Sequence, residues 1–521
     1  MRRTANTTKT GLPSVGQVKP PRDSVFAKLV RALPWLLISA LSAQAICMTL
    51  VGGVTPDEFA HIHYMWLVHR LFNANVDFLC PYPTVFYRLF GFLLDVFPQN
   101  AVFILYARLV ALLFLGTMAF LMGRICREAC GVSWPGVLVI LLPVAGSLAT
   151  FHEFRPDNCA YALFLAGLLL LCRWPKSRLA ISSAAFLTVF SLCIMPKHVL
   201  LAAGAALGFL TMGCVTKSIT MRGSLPWAFL GLLAALIGVT VTIRPELGVF
   251  PEFVKLAQRN ALAEKGLVRA FFLQLCSAVH WPSAVVLLSA PLFAILGFVT
   301  QRIRILRRNP MPWQCKGIML GVLCGGIAHA SLSPCPYSQN QSVLYMAMAI
   351  GIPLTAGVLS LVPWAILSVA LGGIYLVNLW PATRHALDTA PTLWNVEVNS
   401  YLLKIIPENE YVVAPTYTGP VFRNEPTYHY CSDNPAYREA VPAEKKRLFT
   451  ADYFYQRLCS TRPAYFCFAY MSHQPPEYFA ACQRYLSENG GAYAVVSYAS
   501  YEPGAGGLEM LVRSDLLGLK K

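Results

Sequence analysis

Apolar runs dominate the first three quarters of this chain and leave few folds open to it. They lie near 33–53, 101–123, 133–150, 157–172, 179–195, 199–213, 225–243, 281–300, 317–332, 342–358 and 361–379. A helix of about 20 apolar residues crosses the hydrocarbon core of a bilayer with its backbone hydrogen bonds satisfied internally. Eleven such runs predict a mainly α, polytopic membrane protein. Three of them, 157–172, 199–213 and 317–332, are short for that thickness. The first run follows some thirty basic, Pro-containing residues and shows no small-residue cleavage site, so it reads as a retained first helix. A mean hydropathy of +0.53, with 13% charged residues, excludes an ordinary soluble protein.

Charge orients the spans. The chain carries a formal +17, which would suit a nucleic-acid partner if it were spread over one soluble domain. It is not. With the N-terminus inside, segments 1–32, 124–132, 173–178, 214–224 and 301–316 hold 19 Lys and Arg against two acids. The opposite loops 55–99, 151–157, 196–198, 244–280 and 333–341 hold nine of each sign, and residues from 380 onward hold 13 basic and 14 acidic. The surplus obeys the positive-inside rule and implies no nucleic acid. The N-terminus is then cytoplasmic and the C-terminus outside. All ten histidines fall in outer segments, at the outer end of a span (His329) or in the tail.

Three parts follow: a disordered tail, 1–24; a membrane region, 25–379; and an outer domain, 380–521. The last alternates helix-like stretches ("VEVNSYLLKII", "EKKRLFTADYFYQRL", "PEYFAACQRYL") with strand-like ones ("EYVVAP", "AYFCFAYM", "AYAVVSY", "LEMLVR"), as a small α/β layer does. In the first outer loop, "EFAHIHYMWLVHRLF" places Phe59, Ile62, Met65, Trp66 and Phe72 at helical spacing, which predicts a helix lying in the membrane interface. "YPTVFYRLFGFLLDVF" and the loop 244–280 repeat the theme. Cys431, Cys459, Cys467 and Cys482 sit in the tail, where an oxidising compartment would permit disulfides.

Polar residues gather at the outer ends of the spans. "TPDEFAH" opens the first outer loop with Asp57 and Glu58. Adjacent carboxylates beside a membrane can act as general base and as orienting group or cation ligand. Equally, Thr55 caps a helix, Pro56 takes its first turn and the acids complement its dipole. His61 lies four residues after Asp57, on the same helical face. "FHEFRPDN" sets Glu153, Arg155 and Asp157 at the mouth of the fourth span. "IMPKHVLL" places Lys197 and His198 in a tight outer turn, where the lysine either snorkels or holds a lipid phosphate. Arg244 ends a span, and Tyr337 stands in "PCPYSQNQ". Arg108 lies inside a span and requires an acidic or carbonyl partner.

This succession resembles the multi-spanning C-superfamily (GT-C) of glycosyltransferases, in particular the bacterial relatives of protein O-mannosyltransferases and the lipid A aminoarabinose transferase. The resemblance rests on "TPDEFAH", "YPTVFYRLFGFLLDVFP", "YARLVALLFLGTMAFLMGRI", "FRPDNCAYALFLAGLLLL", "IMPKHVLLAAGAALG" and, more loosely, "PYSQNQSVLYMAMAIGIPL", over about residues 30–360. It implies a polyprenyl-phosphate sugar donor, transfer on the outer face to a glycolipid, polysaccharide or protein, and a bacterial inner membrane with a periplasmic C-terminus. It implies Asp57, Glu58 and Asp157 as catalytic acids. Lys197, Arg155, His198, Arg244 and Tyr337 would stand near the donor phosphate, with His61 and Arg108 in support. It names no metal, although a divalent cation is compatible with the acids. The rival from another class is a lipid or sugar transporter, which would place its ionisable groups near mid-bilayer, between paired halves.

Overall fold

The structure is a computed structural model. It describes residues 25–72, 78, 80, 82–142, 151, 153–243, 311–332, 338–356, 373, 376–377, 380–413, 421–425, 447, 450–467, 476–500 and 508–518. Ten helices come first in the chain: α1 (Val25–Val51), α2 (Pro56–His69), α3 (Val85–Phe90), α4 (Leu93–Val96), α5 (Phe103–Cys130), α6 (Trp134–Leu141), α7 (Pro156–Arg173), α8 (Arg178–Ile194), α9 (Val199–Val215) and α10 (Met221–Ile243). Helices Trp313–Leu332, Ser338–Ala356 and Pro391–Ile405 follow.

Five described helices are long and apolar enough to cross a membrane: Ala32–Val51, Phe103–Cys130, Pro196–Val215, Arg222–Val241 and Trp313–Leu332. Arg178–Ile194 and Ser342–Gly351 are shorter apolar helices. Two of the three runs expected to be short, 199–213 and 317–332, reach 20 residues as helices, the first by growing at both ends and the second at its N-terminal end. Eleven spans are not reached among the described residues. The run 281–300, most of 361–379 and the second half of 133–150 lie outside them, and α7 carries Asp157 and Arg173 within its length. Exposed side chains on α10 include Phe229, Leu230, Ile237 and Val241, a face suited to lipid and not to water.

Glycine sets the closest helix pairing. Gly204 and Gly208 on α9 meet Gly317, Gly321 and Gly325 of the Trp313–Leu332 helix, backbone against backbone. A Cβ added at Gly321 would collide with the carbonyl of Gly204, and one at Gly208 with that of Gly317. Four-residue spacing puts these glycines on one face of each helix, and small residues there let helices approach where no hydrophobic effect drives them together.

One expectation needs correction. α2 does not lie in a membrane interface with a single apolar stripe. Every residue from Glu58 to Val68 is buried in the protein, and of the five stripe residues only Phe72, beyond the helix, is exposed. The reason lies in its partners. Tyr64 and His61 pack on Tyr87 of α3, and Trp66 packs edge-on against Phe422. By contrast, Leu89, Phe92 and Val96, on and between α3 and α4, remain exposed.

The C-terminal residues form a four-stranded sheet in the order β1 (Val412–Val413), β2 (Tyr465–Cys467), β4 (Leu508–Arg513), β3 (Tyr493–Tyr498). β1 runs parallel to β2, and the other two pairings are antiparallel. Side chains alternate along β2. Phe466 packs with Phe454, Leu458, Tyr478 and Cys482 of helices Ala451–Thr461 and Pro476–Asn489, whereas Tyr465 and Cys467 pack with Val398 and Leu402 of Pro391–Ile405. Period-two alternation thus buries both faces under helices. Cys459, Cys467 and Cys482 are free thiols; Cys431 lies outside the described residues. This unit is tied to the helices by Gln44 Nε2 donating to Thr383 Oγ1 at 2.8 Å, by an Arg70–Glu408 pair at 3.2 Å and by His63 Nδ1 to Val421 O at 2.7 Å.

Candidate active site

Two helix starts and one turn build the site. At α2, Thr55 is the cap: its side chain accepts from Glu58 N at 3.4 Å, and Pro56 occupies the first turn. The cap geometry expected from "TPDE" is therefore present. It does not dispose of both acids alike, because successive residues on a helix point about 100° apart. Glu58 turns inward and Asp57 toward an opening. The Asp57 side chain is 41% exposed, that of Glu58 fully buried.

Glu58 meets Arg108 of α5. The guanidinium donates to its two oxygens at 3.0, 3.1 and 2.7 Å, and neither side chain has any exposure. Arg108 also donates to Thr49 O at 2.8 Å, Gly52 O at 2.9 Å, Gly53 O at 2.8 Å and Thr392 Oγ1 at 2.6 Å. The intramembrane arginine thus has acidic and carbonyl partners at once. Glu58, grouped with Asp57 by adjacency, serves here as the counter-charge of a helix junction.

α7 supplies the second part. Arg155 sits extended at its N-terminal cap, Pro156 begins the helix and Asp157 follows. Asn158 bends the preceding segment back, its amide donating to Glu153 O at 2.9 Å and Phe151 O at 3.3 Å. That bend brings Glu153 beside Arg155. Arg155 Nη1 then bonds Asp57 Oδ2 at 2.9 Å and Glu153 Oε2 at 3.0 Å, with Nε 3.6 Å from Asp157 Oδ2. The turn Pro196–His198 between α8 and α9 completes the row, for Lys197 Nζ is paired with Asp157 Oδ1.

The result is a continuous line of charge: Asp57, Arg155 with Glu153, Asp157, Lys197. Arg155, Glu153 and Asp157 are almost wholly buried and the Lys197 side chain is 15% exposed, so Asp57 is the member that reaches solvent most. Burial pushes the Glu153 carboxyl up to about 7 against the pull of Arg155. With Glu153 ionised the five groups sum to one negative charge, and with it protonated to none. A proton taken up at Glu153 therefore removes one negative charge from the row that backs Asp57.

Around this line, His61 Nδ1 bonds Tyr87 Oη at 2.8 Å, and burial drives its pKa down to about 3, so it is neutral. His198 is fully buried and stacks on Tyr161 with centroids 4.2 Å apart; Tyr161 Oη in turn meets Ser342 Oγ at 2.9 Å. Arg244 and Tyr337 lie outside the described residues. Glu153, Tyr87, Tyr161 and Ser342 join the site without a role assigned from sequence. Of these only Glu153 carries a signal there, by its place two residues before Arg155. Among the described residues no three His, Cys, Asp or Glu side chains converge as metal ligands.

No known protein family matches the chain, and no curated protein matches it. Among solved structures it is similar to ArnT from Cupriavidus metallidurans bound to undecaprenyl phosphate, at 12% identity and a TM-score of 0.43, over 94% of this chain and 98% of that one. A likeness so distant bears on neither activity nor substrate.

Proposed function

We propose that this chain is a membrane glycosyltransferase that moves a sugar from a polyprenyl-phosphate donor to an acceptor hydroxyl on the extracytoplasmic face of a bacterial inner membrane. Residues 25–379 would form the catalytic region and 380–521 an accessory domain. The observation that carries the reading is the line of buried ion pairs ending in one solvent-reaching carboxylate, Asp57. A transferase needs that gradation: a base the acceptor can reach, backed by groups it cannot. The charges also stand at the ends of α2 and α7 and in a turn, positions that suit an interfacial reaction better than a mid-bilayer carrier site.

In this mechanism Asp57 takes the proton of the acceptor hydroxyl as its oxygen attacks the anomeric carbon. The bond from that carbon to the phosphate oxygen breaks, and its electron pair leaves with the lipid phosphate. Inversion follows from attack opposite the leaving group. Arg155 fixes one Asp57 oxygen, so the carboxylate is aimed before substrate arrives. Lys197 offers the departing phosphate a cation, shared with Asp157 in the resting state. The buried shell around α2 keeps water from intercepting the donor. A divalent cation, if the enzyme uses one, would have to bind through Asp57 and the substrate.

The test is Asp57→Asn, which keeps shape and removes the proton acceptor. Transfer from a labelled polyprenyl-phosphate sugar by the purified protein should fall by about 10²–10⁴. Full activity in that variant would end the assignment of Asp57 as base.

A further inference from the structure

A second polar hollow lies away from the charge line, at the seam between the C-terminal unit and the helices. It is a cleft of about 420 Å³, lined among others by Trp66, Gln99, Asn100, Lys404, Glu408 and Arg423. Its charge is one-sided. Arg423 is 7% exposed, and its guanidinium donates only to carbonyls: Ile406 O at 2.9 and 2.6 Å, Phe422 O at 2.8 Å and Leu403 O at 3.1 Å. Among the described residues no carboxylate forms an ion pair with it. Glu408, the acid on this cleft, is committed to Arg70, which lies over the Trp66 ring. Lys404 stands exposed in the last turn of Pro391–Ile405.

The balance of these terms is positive. Among the lining side chains Lys404 and Arg423 supply two positive charges, and Glu408 is offset by Arg70 outside the lining. The helix C-terminus that Arg423 caps offsets about half a charge more. Roughly one and a half positive charges remain uncompensated around a polar hollow. Neutral groups there suit sugar hydroxyls. Ser400 lies on the wall, and the Asn100 carbonyl oxygen is fixed by Val102 N–H at 3.0 Å, which orients its amide N–H groups for another acceptor.

We propose that this cleft holds an oxyanion, phosphate or carboxylate, borne by the saccharide acceptor. The inference rests on the transferase reading for the word acceptor, but not for the binding. Trp66 lies nine residues beyond Asp57 on the same helix, roughly 14 Å along its axis and, at about 100° per residue, on its opposite face. A glycan whose acidic group is anchored at the seam therefore reaches Asp57 only by passing round α2, which requires an acceptor of several sugar units.

The experiment is calorimetric titration of the full-length protein in detergent with glucose 6-phosphate, glucuronate and glucose. The acidic sugars should bind and glucose should not, and which acid binds tells phosphate from carboxylate. Affinity should fall with added salt, since the charges are partly exposed. Lys404→Glu, at an exposed position, should weaken binding about tenfold, as expected for reversing one charge some 6 Å from the ligand in a water-like dielectric. Arg423→Met would remove a helix cap together with a charge, so Lys404→Glu is the cleaner variant. The same titration on Asp57→Asn protein keeps the two proposals apart, because binding there should equal the parent's whatever happens to transfer. Equal binding of glucose and the acidic sugars, or unchanged affinity in Lys404→Glu, would overturn the assignment.

Discussion

Glu58→Gln separates two neighbours that share a helical turn. In the parent the Glu58 carboxylate takes three contacts from Arg108, the shortest 2.7 Å, and one more from Phe154 N at 3.4 Å. Neither member of the pair touches solvent. A glutamine keeps the shape but removes the counter-charge and turns an N–H group toward a guanidinium that only donates. Arg108 would then be a buried cation among neutral acceptors: Thr49 O, Gly52 O, Gly53 O and Thr392 Oγ1. Breaking one side of such a pair costs about 3–5 kcal/mol, a large share of the roughly 5–15 kcal/mol that holds a typical domain. Arg108→Gln should cost as much, by leaving the carboxylate uncompensated. Asp57→Asn loses a pair whose carboxylate is 41% exposed, where about 1 kcal/mol or less is the rule. The assay is the apparent melting temperature in detergent, beside the transfer rate at a temperature where every variant stays folded. Glu58→Gln should melt early and retain activity per folded molecule; Asp57→Asn should melt with the parent and be nearly inactive. A Glu58→Gln protein that melts with the parent but cannot transfer would refute the structural role and return Glu58 to the chemistry.

Three further outcomes follow from the same physics. Gly321→Leu should abolish folded protein in membranes, because its side chain would have to displace the Gly204 backbone, whereas Gly116→Ala, with open space around its Cβ, should be tolerated or gain up to about 1 kcal/mol; expression and melting of both would decide it. His61 is held near 3 by burial against an ordinary value of 6.5, so its contribution is fully present above 6.5 and is lost as pH falls toward 3. Melting followed from pH 7 to pH 4 should therefore decline less steeply in His61→Gln than in the parent, and identical acid limbs would mean that the ring is solvated. Reporter fusions near residues 128, 176 and 220 should read cytoplasmic and one near 450 extracytoplasmic, as the 19-to-two basic excess of the inner segments requires; an inside signal at 450 would divide the proposed site from its acceptor.

Much of the helical layout is legible in the sequence because apolar length and helix crossing are nearly the same statement. The C-terminal alternation is legible too, since period two and period 3.6 differ over short stretches. Arg108 announces that a partner must exist, but not which acid supplies it. Asp57 and Glu58 are equivalent as neighbours in the chain, and only the rotation of α2 gives one to Arg108 and the other to Arg155. The burial of α2 escapes a pattern reading for a related reason. An aromatic stripe looks the same whether lipid or Tyr87 and Phe422 cover it. The glycine seam, by contrast, is written plainly in the spacing of Gly204 and Gly208 and of Gly317, Gly321 and Gly325. Asn158 is the least legible part. A residue one step beyond an Arg-Pro-Asp run reshapes the chain in front of it, through carbonyls whose positions no periodicity predicts.

Arg108 also fixes an order of events during synthesis. It gathers the end of α1, the start of α2 and Thr392, whose hydroxyl bridges it to Gly52 O. Glu58 precedes Arg108 by 50 residues, whereas Thr392 follows it by 284. At about 5–20 residues per second, Thr392 is added roughly a quarter of a minute to a minute after Arg108, whereas Glu58 is already made. The ion pair therefore has all its atoms long before its last acceptor exists, and the later C-terminal helix closes the junction as a latch.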